Sequence, residues 1–397
     1  MLRAGRRYLT GPLELAGGID FHLAGNAQLL VSANAEDYPD KSVGVLHAKG
    51  ANGLTISGTG SIDGRSPDFM ERYDAEGEWW VPKAFRPRLV VLEDCEDLRI
   101  RDLTLRQAPS WTLHLVGCRG VLVDHVTIRN QMNVPNCDGI DPDHCQDVEI
   151  RNCHIVCGDD AIVLKTTRDF PHYGATRNIV VRDCVLETQD SGLKIGTETT
   201  QDIHDVLFER CEIVNGCRGL CIQLRDEGDI FNVVFRDIQF TSRYFSAPWW
   251  GRGEAISFTA IPRNAQTRLG RIHDIRVENV RGRAENSIRI DGHAFGHVSD
   301  VTLDRVDVTF DRWTRYPGGV FDNRPTTVAE PIEKHSTPGI SIRRAERVTL
   351  NDCTVRWGSD RPGNYSYALH AEAASGLIQT GFKGTAANPT FPAVRID

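Results

Sequence analysis

An eight-residue pattern that recurs along the chain constrains its fold more than any other feature. The pattern reads apolar-x-apolar-polar-polar-x-x-apolar, and its period-2 alternation is typical of two short β-strands joined by a bend. One copy cannot bury its apolar side chains, whereas stacked copies form a continuous core. The regular copies are Leu98–Leu105, Val121–Ile128, Val148–Ile155, Ile179–Leu186, Val206–Ile213 and Val233–Phe240, and further copies start at Ile275, Val301 and Val348. These octads predict an all-β chain folded as a parallel β-helix, with one coil per copy.

The spacing of the octads indicates how the chain is organised. The regular copies start 23, 27, 31, 27 and 27 residues apart, which is less than the roughly 40 residues of a propeller blade. No Pro/Gly/Ser-rich linker interrupts the chain, so we predict a single domain over residues 1–397. Long loops in compact folds are often functional. Three are expected, near residues 65–88, 241–274 and 309–347.

The eleven cysteines are related to the octads. Equivalent residues of successive coils stack, so cysteines at equivalent places are predicted to form interior ladders of small apolar side chains, rather than metal or redox sites. Four occupy the sixth place of an octad and three lie three residues before one: Cys153, Cys184, Cys211 and Cys353, and Cys95, Cys118 and Cys145. The octads assign no place to Cys137, Cys157, Cys217 and Cys221.

A second stretch can be aligned across coils and brings carboxylates together. Its copies start at Trp111, Asp138, Asp160, Ser191 and Arg218. The third and fifth places are apolar and are predicted to point inward, which would turn the first and fourth places to solvent. Asp138 then stacks beside Asp160, with Asp159 adjacent. Asp141 and Lys194 share the next outward column, and Asp143 and Lys165 share the one after it.

A cluster of like charges on adjacent coils is unfavourable in a purely structural protein. Glycoside hydrolysis requires such a cluster, because one carboxylic acid protonates the leaving oxygen while another carboxylate activates water. Crowding of like charges raises at least one pKa and keeps one acid protonated. We therefore interpret Asp138, Asp159 and Asp160 as catalytic. For Asp143 and Asp147, backbone capping at turns is the favoured interpretation.

Two short motifs carry a resemblance to a known family. Asn136-Cys137-Asp138 resembles an Asn-Thr-Asp motif, and Gly158-Asp159-Asp160 resembles a Gly-Asp-Asp motif, with Asp159 21 residues after Asp138. In combination they resemble glycoside hydrolase family 28, the polygalacturonases and rhamnogalacturonases. The resemblance implies a right-handed, pectin-lyase-like β-helix that hydrolyses pectic saccharides with inversion. It also implies that Asp159 is the general acid, that Asp138 and Asp160 hold and activate water, and that no cofactor or metal is needed.

The chain departs from this family where the substrate is bound. Asp190-Ser191-Gly192 replaces Gly-His-Gly, and Cys221-Ile222-Gln223 replaces Arg-Ile-Lys, so an expected histidine and two cations are missing. A planar guanidinium at a bidentate site is not easily replaced. The candidates for substrate binding are Asn136, Asp141, Lys165, Lys194, Arg218, Gln223, Arg225, Trp249, Trp250 and Glu254. The alternatives are a surface cation for Lys194, a surface ion pair for Arg225, and loop packing for the tryptophans, including Trp79 and Trp80.

Charge and the chain start indicate partners and compartment. A net charge of -8 argues against a general nucleic-acid binder, and no apolar run approaches the roughly 18 residues of a membrane helix. The residues after Met1 form no signal-peptide core. We therefore expect a cytoplasmic protein with a carbohydrate substrate, or a secreted or periplasmic one if the start is truncated. The first coil would be open, so a second hypothesis is that another subunit of a homo-oligomer covers it.

Two other functions stay open at this point. A β-helix polysaccharide lyase would combine acidic calcium ligands with a basic residue such as Lys194, because fold does not fix function. A non-catalytic glycan-binding β-helix would explain the missing histidine and cations, but not the three aspartates. A metal enzyme is less well supported, since the thirteen histidines show no paired zinc-type spacing.

Overall fold

The computed structural model describes residues 1–40 and 44–397 and consists almost entirely of β-strands. The 3₁₀ helices of the described residues are Ala35–Asp37, Ser66–Phe69 and Pro171–Tyr173. Within the same residues, no helix has the length and apolar character needed to span a bilayer. The chain divides into two compact units, 1–189 (unit 1) and 190–397 (unit 2).

Unit 1 consists of parallel strands contributed coil by coil to two sheets. The strands of the octad sheet are Arg7–Thr10, Asp20–His22, Gln28–Val31, Thr55–Ser57, Ser61–Asp63, Glu96–Arg101, Thr104–Arg106, Arg119–Asp124, Thr127–Arg129, Gln146–Arg151, His154–Cys157, Thr176–Arg182 and Val185–Thr188. The strands of the second sheet are Leu13–Glu14, Leu46–Lys49, Val90–Glu93, Leu113–Val116, Ile140–Asp143 and Ile162–Thr166. Each octad thus supplies two strands to one sheet, and the aligned stretch that follows it supplies a strand to the other.

Unit 2 repeats this arrangement. Its octad-sheet strands are Ile203–Glu209, Glu212–Gly216, Ile230–Arg236, Gln239–Ser242, Ile272–Ala284, Ser299–Phe310, Glu346–Asn351, Thr354–Trp357 and Ile378–Thr380. Its second-sheet strands are Ser191–Thr199, Arg218–Leu224, Glu254–Ala260, Asn286–Gly292, Ile340–Arg343, Leu369–Glu372 and Val394–Ile396. Parallel pairing of successive coils confirms the predicted β-helix.

The octads place apolar side chains inside and turn the chain at their polar pair. In the first regular copy Leu98, Ile100, Leu103 and Leu105 are all at most 2% exposed. The fifth place lies between the two strands and has a positive φ. Asp and Asn suit this place because they tolerate the left-handed region better than most residues do. In unit 1 this place is held by Asp102, His125, Asn152 and Asp183, with φ of 64°, 53°, 53° and 55°.

The cysteine ladders follow from the same register. All eleven thiols are free and buried. Pairing of Arg119 with Gln146 sets Cys118 beside Cys145 on adjacent coils, and each of the two Sγ atoms donates to a carbonyl of the preceding coil. The predicted interior ladders are therefore confirmed.

The three segments expected as long loops contain ordered strands. Residues 65–88 hold an antiparallel hairpin of Met70–Asp74 with Trp79–Pro82. Residues 241–274 contain the second-sheet strand Glu254–Ala260, and 309–347 contain Ile340–Arg343 together with the antiparallel pair Val320–Asp322 and Ile332–Lys334. The connections are shorter than expected, because these strands do not follow the octad pattern. The prediction of a single domain over 1–397 stays a prediction.

Candidate active site

Three aspartates that the motifs singled out lie together in unit 1. Asp138 and Asp160 are on neighbouring coils, where the Gly139 N–H donates to the Asp160 carbonyl oxygen at 2.9 Å. One carboxylate oxygen from each of Asp138, Asp159 and Asp160 lies within 4.8 Å of the others. The predicted proximity is confirmed, whereas the catalytic roles stay a prediction. These three residues, with Asp141 and Lys165, are called the acidic cluster below.

Close backbone contacts bring the two motifs together. A Cβ on Gly158 would lie 2.3 Å from the carbonyl oxygen of Val134, so only glycine fits. The Sγ of Cys137 accepts from the Gly158 N–H and donates to the Val134 carbonyl oxygen, both at 3.0 Å. The thiol therefore links the segment that carries Asp138 to the segment that carries Asp159, and it stands where the Asn-Thr-Asp motif has a hydroxyl.

Asn136 holds Asp159 through its backbone rather than through its side chain. Its φ of 56° turns the peptide N–H toward Asp159, where it donates to Oδ2 at 3.1 Å. The Asn136 side chain accepts instead from Arg86 at 2.9 Å, and Arg86 also donates to the carbonyl oxygens of Pro109 and Pro135. Arg86 thus stabilises the turn that carries the first motif. The octads gave no signal for it, because it lies outside them.

Lys165 places a positive charge inside the acidic cluster. Its Nζ lies 3.1 Å from Oδ2 of Asp138 and 3.0 Å from Oδ1 of Asp141, and it is 3.6 Å from the ring centroid of Trp111. Strand pairing sets Lys165 opposite Asp143, as the alignment predicted. Its long side chain reaches back to the preceding coil. Trp111 was not among the site candidates, although it holds the first place of its aligned stretch.

The expectation that the first and fourth places face solvent is wrong. Asp138 and Asp160 are each 2% exposed and Asp141 is fully buried, whereas Asp159 is half-buried. Period-2 alternation identifies the side of a strand that a residue leaves, but not the segments that cover that side. Lys165 lies against Asp138 and Asp141 in unit 1, and the ring of Trp111 lies against Lys165.

Burial and like charge oppose full ionisation of the acidic cluster. Burial, followed by the nearby charges of Asp141 and Asp160, raises the pKa of Asp138 well above its usual range, although Lys165 acts in the opposite direction. Burial likewise raises the pKa of Asp141 to about 6, and Lys165 again opposes it. A cluster of this kind keeps a proton at a pH where isolated carboxylates have lost theirs.

Asp143, next to the cluster, is buried and does cap a backbone N–H, that of Thr167 on the next coil. It accepts from the Thr167 N–H at 2.8 Å and from the Thr167 hydroxyl at 2.6 Å, and it lies 3.2 Å from Nε2 of His114. Burial acts to raise the pKa of Asp143, but hydrogen bonds from His114 and Thr167 outweigh it and the pKa is lowered. Burial also lowers the pKa of His114 to about 4. Asp147 lies within the strand Gln146–Arg151 rather than at a turn, with a φ of 56°, and it accepts from the Asn178 side-chain amide at 2.9 Å.

Three carboxylates this close could also hold a metal ion in principle. In this cluster an ammonium already lies against Asp138 and Asp141. A second cation would have to bind beside that ammonium, at the cost of like-charge repulsion. The expectation that the site works without a metal stays a prediction.

In unit 2, Arg218 and Glu254 lie opposite each other on paired strands. Both are buried, with Arg218 Nε 3.9 Å from Glu254 and its NH1 3.3 Å from Asp190. Glu254 also accepts from the Arg252 N–H at 2.6 Å. Both candidates are therefore engaged in ion pairs or hydrogen bonds within the protein, and their role toward a substrate stays a prediction.

Arg225 and Gln223 are buried beneath the segment that follows Val320–Asp322. Arg225 donates to the carbonyl and hydroxyl oxygens of Thr259 at 3.2 and 3.1 Å, and to the Asn323 carbonyl oxygen at 3.4 Å. Gln223 donates to the Arg324 carbonyl oxygen at 3.5 Å. The alternative of a surface ion pair for Arg225 is wrong, because this guanidinium has no solvent exposure. Burial and the charges of Arg289 and Arg218 lower the pKa of Arg225 to about 9.

The remaining candidates differ in exposure from what the sequence indicated. Lys194 is buried, so the alternative of a plain surface cation is wrong, and its Nζ lies 5.9 Å from the ring centroid of Trp250. Trp249 is only 3% exposed and Trp250 is half-buried. Trp250 is thus the more accessible of the two rings. In unit 1 the hairpin tryptophan Trp80 packs edge-on against Tyr73.

Coils of parallel β-strand with three adjoining carboxylates define a β-helix that carries the groups an acid–base hydrolysis of glycosides requires. The chain belongs to glycosyl hydrolases family 28, whose model matches residues 3–315. The resemblance of the two motifs to this family is thereby confirmed.

Curated relatives carry polygalacturonase names. The chain is 29% identical over 246 residues to a probable polygalacturonase of Vitis vinifera, covering 55% of this chain and 48% of that protein. It is 25% identical over 238 residues to an endo-polygalacturonase of Pectobacterium carotovorum subsp. carotovorum, covering 54% and 58%. The chain therefore spans about half the length of the curated relatives it matches.

Solved structures confirm the fold. An exopolygalacturonase from Thermotoga maritima matches with a TM-score of 0.66 at 16% identity, covering 89% of this chain and 83% of that one. A family 28 exopolygalacturonase from Yersinia enterocolitica matches with a TM-score of 0.65 at 16% identity, covering 98% and 71%. Together with the strand pairing, these likenesses show the right-handed parallel β-helix that was predicted.

Proposed function

We propose that the chain hydrolyses a glycosidic bond in a pectic polysaccharide or oligosaccharide, of galacturonate or rhamnogalacturonan type, with inversion of configuration. The observation that carries the proposed hydrolysis is the acidic cluster, whose three catalytic candidates place carboxylate oxygens within 4.8 Å of one another. The proposed inversion rests on the family alone, because this separation is shorter than the roughly 6.5–9.5 Å typical of inverting carboxyl pairs. Membership of glycosyl hydrolases family 28 and the polygalacturonase names of the relatives support the substrate class.

The burial of the three carboxylates supports a division of roles. Asp159 is the most exposed of the three, and the Asn136 N–H orients it. This makes Asp159 the best placed to protonate the oxygen of a leaving sugar. Asp138 and Asp160 are buried on adjacent coils and would hold the attacking water between them. Because burial and like charge oppose loss of every proton, one carboxyl stays acidic while another acts as base.

The test is product analysis by mass spectrometry on a panel of galacturonate and rhamnogalacturonan oligosaccharides. Wild type is compared with Asp159→Asn and with the exposed control Asp169→Asn, each with and without a calcium chelator. Hydrolysis adds water, so saturated products are expected with or without chelator. Loss of a general acid typically lowers the rate about 10²- to 10⁴-fold, and this is expected for Asp159→Asn but not for the control.

Other outcomes point to the other two functions. Unsaturated products that disappear with the chelator would indicate a polysaccharide lyase. Binding of an oligosaccharide without turnover, equal in wild type and Asp159→Asn, would indicate a non-catalytic binding protein. Either result would overturn the proposed hydrolysis.

A further inference from the structure

Lys165 is nearly enclosed, although its side chain ends in a strongly polar group. Its side chain is 5% exposed and lies against the carboxylates of Asp138 and Asp141 and the ring of Trp111. Removing an ammonium from water is costly unless partners compensate it. Two carboxylates and the face of an indole provide that compensation here. An ammonium enclosed in this way is poorly placed to bind a substrate directly, which was its expected role.

The pairing distinguishes the two oxygens of Asp138. Oδ2 lies 3.1 Å from Nζ of Lys165. Oδ1 is buried and has no hydrogen-bond partner within the described residues. A carboxylate held at one oxygen has a fixed orientation, and its other oxygen here keeps an acceptor position that no donor of the described residues fills. Contacts between a catalytic side chain and the residues that support it determine how accurately that side chain is oriented.

We infer that Lys165 is a positioning residue, which fixes Asp138 through Oδ2 so that Oδ1 can bind and orient the attacking water. This inference rests on the proposed function, in which Asp138 helps to hold that water. Asp141 balances the charge of Lys165 from its other side, and Trp111 closes the face of the ammonium that the carboxylates leave open.

The kinetic test compares Lys165→Met, Lys165→Arg and the exposed control Lys49→Met on the oligosaccharide that wild type cleaves. A positioning role predicts that Lys165→Met lowers kcat about 100-fold, while KM stays within about twofold, because the ammonium does not contact substrate. Lys165→Arg should restore part of kcat, and Lys49→Met should match wild type. A rise in KM at unchanged kcat would overturn the inference and identify Lys165 as a substrate ligand. Unchanged kinetics would also overturn it.

A double variant separates positioning from simple loss of structure. Lys165→Met leaves Asp138 and Asp141 facing each other without their shared cation, and Lys165→Met/Asp141→Asn removes that repulsion. A positioning role predicts that the double variant, folded by circular dichroism, stays as slow as Lys165→Met within about threefold, because Oδ2 of Asp138 still lacks its ammonium. A gain of at least about tenfold in kcat over Lys165→Met would overturn the inference, because Lys165 would then act only by offsetting the repulsion between Asp138 and Asp141.

A spectroscopic readout remains if wild type cleaves nothing and the proposed function fails. The chain has seven lysines, so ¹⁵N-lysine labelling gives a simple spectrum in which Lys165→Arg assigns the Lys165 Nζ signal. The pairing predicts a signal protected from solvent exchange, which shifts in Asp138→Asn and not in Asp169→Asn. A rapidly exchanging signal, or one indifferent to Asp138→Asn, would overturn the pairing itself.

Discussion

Buried charge clusters in the two units have opposite balances. In the acidic cluster of unit 1, four aspartates accompany Lys165, and the pKa values of Asp138 and Asp141 are raised, first by burial. Unit 2 contains an arginine cluster, in which Arg289, Arg343 and Arg344 surround Asp291. Burial acts to raise the pKa of Asp291 as well, but the field of the three arginines outweighs it and the pKa is lowered.

The two clusters differ in the role of their buried carboxylates. Three guanidinium groups hold Asp291 ionised, so its charge links its own strand, Asn286–Gly292, to the end of the strand Ile340–Arg343. The acidic cluster lacks enough positive charge to ionise fully and therefore keeps a proton within reach of another carboxylate. Protein stability accounts for the first arrangement. The second resembles a site at which proton transfer takes place.

Asp138→Asn should separate turnover from stability more strongly than any other change in the acidic cluster. Turnover should fall about 10²- to 10⁴-fold, because an amide cannot act as a base. The loss of unfolding free energy should stay below that expected for Asp291→Asn, because Lys165 keeps Asp141 as its second carboxylate partner. Steady-state kinetics and denaturant unfolding measure the two effects, with Asp169→Asn as the control. A large loss of stability with turnover retained would show that Asp138 is structural.

Asp291→Asn should have the reverse effect in the arginine cluster. Its carboxylate lies 2.6 Å from Arg289 and also pairs with Arg343 and Arg344. Removing one partner of a buried ion pair typically destabilises by about 3–5 kcal/mol, because a charge is left uncompensated. Denaturant unfolding measures the loss. A variant as stable as wild type would mean that the arginines do not depend on Asp291.

Asp141→Asn tests the proton balance through the pH dependence of stability. The folded pKa of Asp141, raised to about 6 by burial, lies above its ordinary value of 3.8. Stability from the protonated form is therefore present below about pH 4 and is lost as the pH rises through 6. Asparagine does not titrate, so the variant should gain up to about 3 kcal/mol relative to wild type between pH 4 and 7. Unfolding at both pH values measures this gain, and a pH-independent difference would contradict the raised pKa.

Removing a surface ion pair should have the smallest effect on the free energy of unfolding. Asp300 accepts from Nε and NH2 of Arg347, both at 2.7 Å, at an exposed position of unit 2. Asparagine also tolerates its φ of 54°. Asp300→Asn should therefore change the free energy of unfolding by no more than about 1 kcal/mol. A loss as large as that expected for Asp291→Asn would mean that burial is not what separates the clusters from ordinary ion pairs.

The repeat allowed the fold and the position of the aspartates to be predicted from sequence. Octad spacing fixes which residues are equivalent in successive coils, and equivalence is sufficient to place Asp138 beside Asp160. The same equivalence predicted that the cysteines lie in the interior of the coils. This prediction needs no knowledge of which segments cover the coils.

Burial of the site could not be predicted in this way. Lys165 reaches back from the next coil to cover Asp138, and the ring of Trp111 lies against Lys165. Alternation along a strand does not encode either contact. The strand Glu254–Ala260 was missed because it lies outside the octads. The arginine cluster was missed because Arg289 and Asp291 lie on a second-sheet strand that no motif marks.

The anomeric configuration of the first product tests the central claim most directly. Proton NMR would follow early turnover of a cleaved pectic oligosaccharide by wild type, with Asp159→Asn as the control. If the acidic cluster activates a water opposite the leaving sugar, the first product has the inverted configuration and Asp159→Asn forms almost none of it. A first product of retained configuration, or unchanged turnover by Asp159→Asn, would contradict the roles proposed for the three aspartates.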